Sequence, residues 1–279
     1  MPKLLRAELP MLRIVDALGS YLPTMRAMWL PGHSDVDFTG NGWNLTRPTG
    51  APIARVGNKV GLNGLGLSSN ELTLSVSMVA DTEHLLCWAW IYTTGSAPAS
   101  SYLAGRGQDG FGSGWSFQLY ISTGQVTCAA VVNGAQYTCG PLGAIPCNRW
   151  VLIHGAVNHH SGANPSYVTV SQNGARLSAT NVAGNTGLRS STKGFEIGGV
   201  PGTPNQGTII GACGVLAGPA TSTTYPIDTT EMPIIYGLTS PIFTKNNAQS
   251  RSRIAVGGAA PLSNCSLNLR QAVARASSY

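Results

Sequence analysis

Two short stretches constrain the fold more than any other feature, because each places Asn-Gly between two alternating runs of residues. They are GQVTCAAVVNGAQYTC (124–139) and YVTVSQNGARLSA (167–179), centred on Asn133-Gly134 and Asn173-Gly174. Asn-Gly is the preferred pair where both residues of a two-residue hairpin turn need positive φ. Both stretches therefore predict antiparallel β-hairpins.

Further strands follow the same alternation. LLCWAWIYTT (85–94) and GWSFQLYIS (114–122) place large apolar side chains at every second position, and GFEIGG (194–199) and GTIIGACGVLAG (207–218) are apolar runs of strand length. No helical pattern separates these runs between residues 29 and 243, which favours an all-β sandwich of two antiparallel sheets. The residues expected in its core or in strand-facing layers are Trp88, Trp90, Trp115, Phe117, Trp150 and Ile153.

Both ends of the chain differ from this pattern. In residues 1–24 an apolar stripe repeats at helical spacing after Pro10 and ends at Gly19, which predicts a short helical arm. The arm has two interpretations: it packs on its own domain, or it docks onto a neighbouring chain. Residues 244–279 are polar and aperiodic, and they contain basic but no acidic residues. The predicted organisation is an N-terminal arm (1–24), a β domain (25–243) and a basic C-terminal extension (244–279).

Charge is scarce over the whole chain. Only 10% of the 279 residues are charged, and 17 Lys and Arg against 11 Asp and Glu give a formal net charge of +6. So few charges predict that part of the surface is covered by a partner. The basic tail lacks aromatic interleaving and any nucleic-acid-binding motif, so nucleic acid is not the expected partner. Charged residues interrupt the first 22 positions and no apolar run could span a bilayer, which predicts a protein made in the cytoplasm.

The cysteines and histidines do not form a metal-binding pattern. Six single cysteines without a CxxC pair predict free, mostly buried thiols. In IPCNRWVLIHGAVNHHSG (145–162), His154 falls within a strand, and His159 and His160 fall where it turns. Adjacent residues on an extended chain point to opposite faces, and no carboxylate lies nearby to act as a further ligand. The three histidines are interpreted as structural, and no metal or other cofactor is expected.

The order of motifs resembles the laminin-G-like, concanavalin A-like jelly-roll family over residues 25–243. AMWLPGHSDVDFTGNGWNLTRPTG is similar to that family's first strand and the Gly-Asn turn after it, LLCWAWIYTT to its FTISAWVK strand, and IPCNRWVLIHGAVNHHSG to its LPLNTWHHVAVTYDGS segment. VTVSQNGARLSA stands where LYVDGVLVAS is expected. The resemblance implies a two-sheet jelly roll, with Trp150 as the tryptophan that anchors a strand.

The chain departs from this family at its acidic positions. Calcium-binding members carry carboxylates at the sandwich rim, whereas here Asp35, Asp37 and Asp109 remain as rim candidates on separate loops, which does not support a calcium site. Relatives that hydrolyse glycans carry an ExDxxE strand motif that this chain lacks, and residues 110–195 contain no acid. Because GxSxG, HExxH and P-loop motifs are missing as well, the sequence predicts a protein that is not an enzyme.

Two functions remain open. Members of this family that lack signal peptides often belong to bacteriophage particles, as head decorations or tail components. The resemblance therefore implies a non-enzymatic virion protein, held on the particle surface by other virion proteins and by copies of itself. The residues predicted to make these contacts are Met11, Leu12, Val15, Leu18, Arg251, Arg253, Arg270 and Arg275.

The alternative is a lectin-like adhesion module that binds a glycan of the host surface. Sugars need aromatic platforms and amide side chains on exposed loops. The candidates in this sequence are Trp43, Phe111, Asn133, Tyr137, Asn158 and Asn164. In the opposing interpretation, the aromatic residues fill the sandwich and the asparagines form turns.

Overall fold

The structure is a computed structural model in which the described residues are 18, 24–47, 53–56, 59–63, 72–73, 79, 83–95, 100–106, 115–158, 166–183, 188–189, 194–198, 208–219 and 227–244. Within these ranges the chain forms strands and one helix. The elements are β1 (Met25–Trp29), β2 (Ile53–Val56), β3 (Lys59–Asn63), β4 (Leu72–Thr73), β5 (Glu83–Thr93), β6 (Ser100–Arg106), β7 (Phe117–Ser122), β8 (Gln125–Val132), β9 (Ala135–Ala144), β10 (Trp150–Asn158), β11 (Ser166–Gln172), β12 (Ala175–Val182), β13 (Phe195–Ile197), β14 (Thr208–Pro219) and α1 (Ile227–Thr244).

The strands form two antiparallel sheets. The eight-stranded sheet has the order β12-β11-β10-β5-β14-β3-β2, with β1 also paired to β14, and the six-stranded sheet has the order β4-β13-β6-β7-β8-β9. Strand β14 joins the larger sheet together, because it pairs with β5 on one edge and with β3 and then β1 on the other. This arrangement confirms the predicted all-β architecture of two packed antiparallel sheets.

The Asn-Gly turns take the predicted geometry. Asn133 and Asn173 both have φ of 52°, and each is followed by a glycine with φ of 78°. Positive φ at two successive residues is the requirement of the hairpin turn that this pair favours. The first turn joins β8 to β9 and the second joins β11 to β12, so both predicted hairpins are confirmed.

Apolar side chains fill three layers. The largest cluster lies between the sheets and includes Phe117 and Ile153, while Trp88, Trp90 and Trp150 belong to a second cluster on the outer face of the eight-stranded sheet. A third, smaller cluster around Trp115 lies on the outer face of the six-stranded sheet. All six residues expected in the core or in strand-facing layers are buried.

Helix α1 corrects the expectation that residues 29–243 contain only strands and turns. The segment IDTTEMPIIYGLTSPIFT (227–244) carries Pro233 and Pro241, and internal proline normally argues against a helix. Its buried positions Ile235, Thr239 and Phe243 recur every four residues, which places them on one helical stripe. That stripe packs on the second cluster, so tertiary packing outweighs the local penalty of the prolines. Within the described ranges, no helix has the length and apolar character required to cross a membrane.

Four of the six cysteines lie in the core. Cys87, Cys128, Cys139 and Cys213 are buried free thiols, Cys147 is a half-buried free thiol, and Cys265 is outside the described residues. Burial raises the pKa of Cys87, Cys128 and Cys213 well above that of an ordinary thiol, because the thiolate would lose its hydration. The predicted free and mostly buried thiols are therefore confirmed for the described residues.

These thiols should react in two classes. In a Cys265→Ser variant we expect a thiol-specific disulfide reagent to modify Cys147 in the native protein, while the four core thiols react only after denaturant is added, because a buried thiol is both inaccessible and protonated. The measurement is a stopped-flow titration of thiols with and without denaturant. A matched Cys147→Ser, Cys265→Ser variant should show no fast phase. Rapid reaction of a second thiol in the native protein would contradict the packing of the core.

Candidate binding face

The outer face of the six-stranded sheet carries a group of aromatic and neutral polar side chains. Along β7 and β8, Leu119 and Cys128 point into the core between the sheets, and the alternating positions point outward. The register places Tyr120 opposite Thr127 and Gln118 opposite Ala129. On β6, Tyr102 lies opposite Tyr120. Side chains from three adjacent strands thus meet on one surface, which we call the β6–β8 face.

Stacked rings form the centre of the β6–β8 face. The Tyr102 and Tyr120 ring centroids are 5.4 Å apart, with 14° between their planes. Tyr120 also packs against the cluster of Trp115, Ala129 and Val131. Tyr102 is buried, whereas Tyr120 is half-buried. Such a ring supplies the kind of apolar platform on which the C–H face of a sugar can stack.

Two neutral polar side chains beneath this platform have unused hydrogen-bonding capacity. The Gln118 side chain accepts a hydrogen bond through Oε1 from the Tyr102 hydroxyl at 3.4 Å, but its Nε2 has no partner among the residues that the structure describes. Thr127 Oγ1 likewise has no partner in the described part of the chain. Each such buried polar atom costs about 1–3 kcal/mol when it stays unpaired. Both atoms are closed off from solvent, so a bound water is the simplest partner for each of them.

The face stays electrically neutral over the physiological pH range. Burial raises the pKa of Tyr102 and of Tyr120, with a smaller contribution at Tyr102 from the neighbouring Tyr120 and at Tyr120 from Cys128. Both phenols therefore remain protonated in mildly alkaline solution and keep their hydroxyl donors. Beyond the tyrosines, the exposed Gln136 and the half-buried Thr138 on β9 extend the neutral polar surface, and Gln136 Nε2 donates to Thr138 Oγ1 at 3.3 Å.

The glycan-binding residues predicted from sequence do not form one site. Trp43 and Tyr137 pack against the core between the sheets, from the loop after β1 and from β9. Asn133 is exposed, but it forms the β8–β9 turn. Asn158 was expected on an exposed loop, which is wrong: it is the last residue of β10 and is fully buried, because the strand continues through it. Phe111 and Asn164 lie outside the described residues.

The rim aspartates already have partners within the chain. Asp35 forms a salt bridge with Arg47 at 2.6 Å. Asp37 is buried and accepts hydrogen bonds from the backbone N–H groups of Met28 and Thr39 and from the Thr39 hydroxyl. Asp35 and Asp37 share the loop after β1, so the expectation that the rim aspartates come from separate loops is wrong for this pair, and Asp109 lies outside the described ranges. In the part of the chain that the structure describes, no three His, Cys, Asp or Glu side chains come together as a metal site.

His154 has the structural position predicted for it. It lies in the middle of β10, is fully buried, and its Nδ1 is 2.5 Å from Ser171 Oγ on the neighbouring strand β11. This contact joins two strands within one sheet. His159 and His160 lie outside the described residues.

Of the residues predicted to contact other virion proteins, only Leu18 is described. Its side chain is fully buried within this chain, in the second cluster with Met25 and Met28. Leu18 therefore packs on its own domain and is not available to a partner. For this residue, the interpretation that the arm packs on its own domain holds, and docking onto a neighbouring chain does not. Met11, Leu12, Val15, Arg251, Arg253, Arg270 and Arg275 lie outside the described residues.

Sequence reasoning missed the residues of the β6–β8 face. Its signal is present in GWSFQLYIS, where Gln118 and Tyr120 alternate with the apolar Phe117, Leu119 and Ile121 and so predict an outward-facing row. That row becomes a candidate site only when the register brings Tyr102 and Thr127 beside it.

The comparisons with known proteins show the fold. The receptor-binding domain of botulinum neurotoxin type G superposes with a TM-score of 0.52 at 12% identity, covering 77% of this chain and 51% of that domain. The binding domain of botulinum neurotoxin serotype D gives a TM-score of 0.53 at 13% identity over 79% of this chain and 52% of that domain. This chain thus matches about half the length of the toxin domains.

A third similar structure matches at nearly its full length. Domain 4 of AbnA, a GH43 extracellular arabinanase from Geobacillus stearothermophilus solved in complex with arabinotriose, gives a TM-score of 0.52 at 15% identity, covering 75% of this chain and 98% of that domain. No family model matches the sequence. No curated protein matches it either. At these identities, the similar structures show the fold alone: this chain shares the all-β sandwich architecture of those domains.

Proposed function

We propose that this protein is a non-enzymatic, carbohydrate-binding module with a lectin-like jelly roll of the concanavalin A-like type, and that the β6–β8 face is its binding surface. The observation that carries the proposal is the half-buried Tyr120, whose ring stacks on Tyr102 above the buried Gln118 Nε2 and Thr127 Oγ1, two atoms with no hydrogen-bond partner among the described residues. A stacking platform next to unused neutral donors and acceptors is the combination that sugar recognition requires.

The similar structures support this proposal at the level of fold. Two of them are named as receptor-binding or binding domains, and the third was solved with an arabinose trisaccharide. The interval without acids from residue 110 to 195 includes β7 to β12, so these strands supply no carboxylate pair for glycoside hydrolysis. We therefore propose binding without hydrolysis.

Replacing Tyr120 should remove most of the binding. We expect Tyr120→Ala to weaken binding to an immobilised neutral oligosaccharide by at least about tenfold, which corresponds to roughly 1.4 kcal/mol and to the loss of one aromatic anchor. Tyr120→Phe keeps the ring and should bind within about threefold of the parent. Surface plasmon resonance on a dense glycan layer is the suitable measurement, because many copies strengthen weak individual sites.

The matched control is Tyr236→Ala. Tyr236 is also half-buried and stacked, with its ring centroid 5.9 Å from that of Trp90, but it lies on α1 over the opposite sheet. Its loss should leave glycan binding unchanged once folding has been verified by circular dichroism. Equal losses in both variants, or no loss in Tyr120→Ala, would refute the assignment of the β6–β8 face.

We propose, as a second candidate, that the chain is a component of a bacteriophage particle, either a head decoration or a tail protein, in which the sandwich faces outward. The supporting observation is compositional: only 10% of residues are charged, and residues 244–279 are basic without any acid. Such a segment fits an acidic surface on a shell protein or on a sister subunit. Chains lacking residues 1–17 or 245–279 should then be depleted from purified particles, and undiminished incorporation of both would refute this role.

A further inference from the structure

We infer that the open edge of β2 binds an extended segment of another protein, one that carries an acidic side chain two positions from an apolar one. The β2 edge is separate from the proposed carbohydrate site, which lies on the other sheet. Three observations point to this partner: the other strand edges are short or covered, the β2 backbone has hydrogen-bonding groups on its open side, and Ile53 and Arg55 are exposed there.

Among the described strands, β1, β2, β4, β9 and β12 each have one edge that no other strand pairs with. The loop after β1 covers the edge of that strand, because Met28 accepts a hydrogen bond from the Phe38 N–H at 2.9 Å and donates one to Asp37 Oδ1 at 3.2 Å. Strands β9 and β12 meet each other, and Thr180 Oγ1 donates to the Thr138 carbonyl at 3.0 Å. Strand β4 has only two residues. The edge of β2 is the one that remains available for strand addition.

The β2 backbone presents hydrogen-bonding groups on its open side. Val56 lies opposite Lys59, which leaves two residues for the connection to β3, so this pair closes the hairpin with hydrogen bonds and the following pairs alternate. Ile53 and Arg55 therefore stand at the positions whose N–H and C=O groups point away from β3. Apart from its pairing with β3, β2 forms no hydrogen bond with the other described residues. The backbone groups of Ile53 and Arg55 are thus free to pair with an added strand.

The side chains at this edge supply apolar surface and a positive charge. Ile53 is 56% exposed, more than any other large apolar side chain in the described ranges. Arg55 is exposed on the same side of β2, because it lies two positions further along the strand. None of the described residues forms an ion pair with Arg55. An added strand can therefore gain an apolar contact at Ile53 and a charge pair at Arg55.

The surroundings of Arg55 are positive. Its charge lowers the pKa of His33 in the loop after β1, although burial of that ring has the larger effect. The two acids of the same loop, Asp35 and Asp37, are already engaged by a salt bridge and by backbone N–H groups. Residues 24–63 contain four Arg and Lys against these two Asp. An acidic side chain beside Arg55 is therefore favoured, whereas a basic one is repelled.

The spacing of Ile53 and Arg55 sets the pattern of the partner. Side chains that lie opposite each other on neighbouring strands have Cβ atoms about 4.5–5.5 Å apart. A segment beside β2 thus places one side chain against Ile53 and another, two positions away, against Arg55. An apolar residue suits the first position, and Asp or Glu suits the second. A second copy of this chain that paired through the same edge would bring no acid to Arg55, since β2 reads IARV.

The experiment measures the binding of three labelled peptides to the full chain by fluorescence anisotropy. The peptides are TVTVTDTVT and its two counterparts with Asn or Lys in place of Asp. We expect the Asp peptide to bind at least about fivefold more tightly than the Lys peptide, and Arg55→Glu to reverse this order. The matched control is Arg189→Glu, which changes another exposed arginine, beside β8 of the other sheet, and should leave peptide binding unaltered.

A backbone variant tests for strand addition. Ile53→Pro removes an N–H that β3 does not use, and proline is tolerated at the first residue of an edge strand. We expect this variant to keep the circular dichroism of the parent and to lose most of its affinity for the Asp peptide. In the parent chain, the same peptide should slow hydrogen exchange at the amides of Ile53 and Arg55, followed by NMR.

Protection of these two amides, together with a reversed peptide order in Arg55→Glu, would support an acidic strand as the partner. Equal binding of the three peptides, binding that Ile53→Pro leaves intact, or no binding at about 1 mM peptide would overturn it. A dimer of the parent chain that Ile53→Pro dissociates in sedimentation velocity would show that a second copy takes this edge, and would overturn it as well. Each of these results leaves glycan binding by the β6–β8 face to its own test.

Discussion

Replacing Trp90 with alanine should lower the free energy of unfolding by about 3–5 kcal/mol, the usual cost of truncating a buried tryptophan. Trp90 is fully buried on the outer face of the eight-stranded sheet. Its ring stacks on Phe243 at a centroid distance of 4.7 Å and 10° between planes, and its Nε1 donates to Thr239 Oγ1 at 2.9 Å. Both partners lie on α1, so the substitution also releases the helix from the sheet. Natural domains are stable by only about 5–15 kcal/mol, which makes this loss a large fraction of the total.

Two milder substitutions separate packing from hydrogen bonding at this contact. Trp90→Phe keeps an aromatic ring but removes the indole donor. Thr239→Val removes only the acceptor, which should lower the free energy of unfolding by about 1 kcal/mol. Equilibrium unfolding in urea, followed by circular dichroism, gives the change in the free energy of unfolding for Trp90→Ala, Trp90→Phe and Thr239→Val relative to the parent. If Trp90→Ala lowered the free energy of unfolding by less than Thr239→Val does, α1 would not depend on the aromatic contact. The packing of α1 on this sheet as described here would then be refuted.

The sheet architecture could be predicted because its signals are local. Alternation within ten residues predicts a strand, and Asn133-Gly134 and Asn173-Gly174 predict their turns through the φ values that each residue tolerates. The sequence of α1 carries conflicting local signals. Pro233 and Pro241 argue against the helix, and what stabilises it is the aromatic surface of Trp90 and Trp150, residues far away in the sequence.

The binding face could be predicted only in part, for the same reason. Gln118 and Tyr120 can be assigned outward positions from the alternation of β7 alone. The positions of their neighbours Tyr102 and Thr127 on this face follow from the strand order and register. Bulges in the β6–β7 and β8–β9 pairs shift that register, and no local sequence pattern predicts them. Asn158 shows the opposite error: its amide made it a candidate for glycan binding, but it is fully buried at the end of β10. Polarity indicates where a side chain is favoured, whereas the neighbouring strands decide whether it is buried.

One buried side chain links the stability of the sandwich to the candidate binding face. Arg106 at the end of β6 is 1% exposed. Its Nη1 donates to Ser116 Oγ at 2.9 Å and to the Arg189 carbonyl at 3.3 Å, and its Nη2 donates to the Val79 carbonyl at 3.2 Å. A guanidinium group suits this position because its planar set of donors can reach three segments at once. Ser116 directly precedes β7 and follows Trp115, so the same contacts hold the tryptophan of the third cluster in place.

Replacing Arg106 with leucine should therefore destabilise the fold and weaken binding together. Three acceptors would lose this donor, two of them in buried contacts and the Arg189 carbonyl in a half-buried one, and the guanidinium packing would be lost as well. At about 1–3 kcal/mol for each buried unsatisfied group, we expect a loss of about 3 kcal/mol or more in the free energy of unfolding. Arg106→Lys keeps the charge but lacks the planar set of donors, so it should recover only part of this loss. Urea unfolding measures the stability, and glycan binding is compared at a temperature where both variants remain folded. Because Trp115 packs against Ala129, Val131 and Tyr120, loosening Ser116 should weaken binding even in folded Arg106→Lys. Full stability in Arg106→Leu would show that the three acceptors do not depend on this side chain.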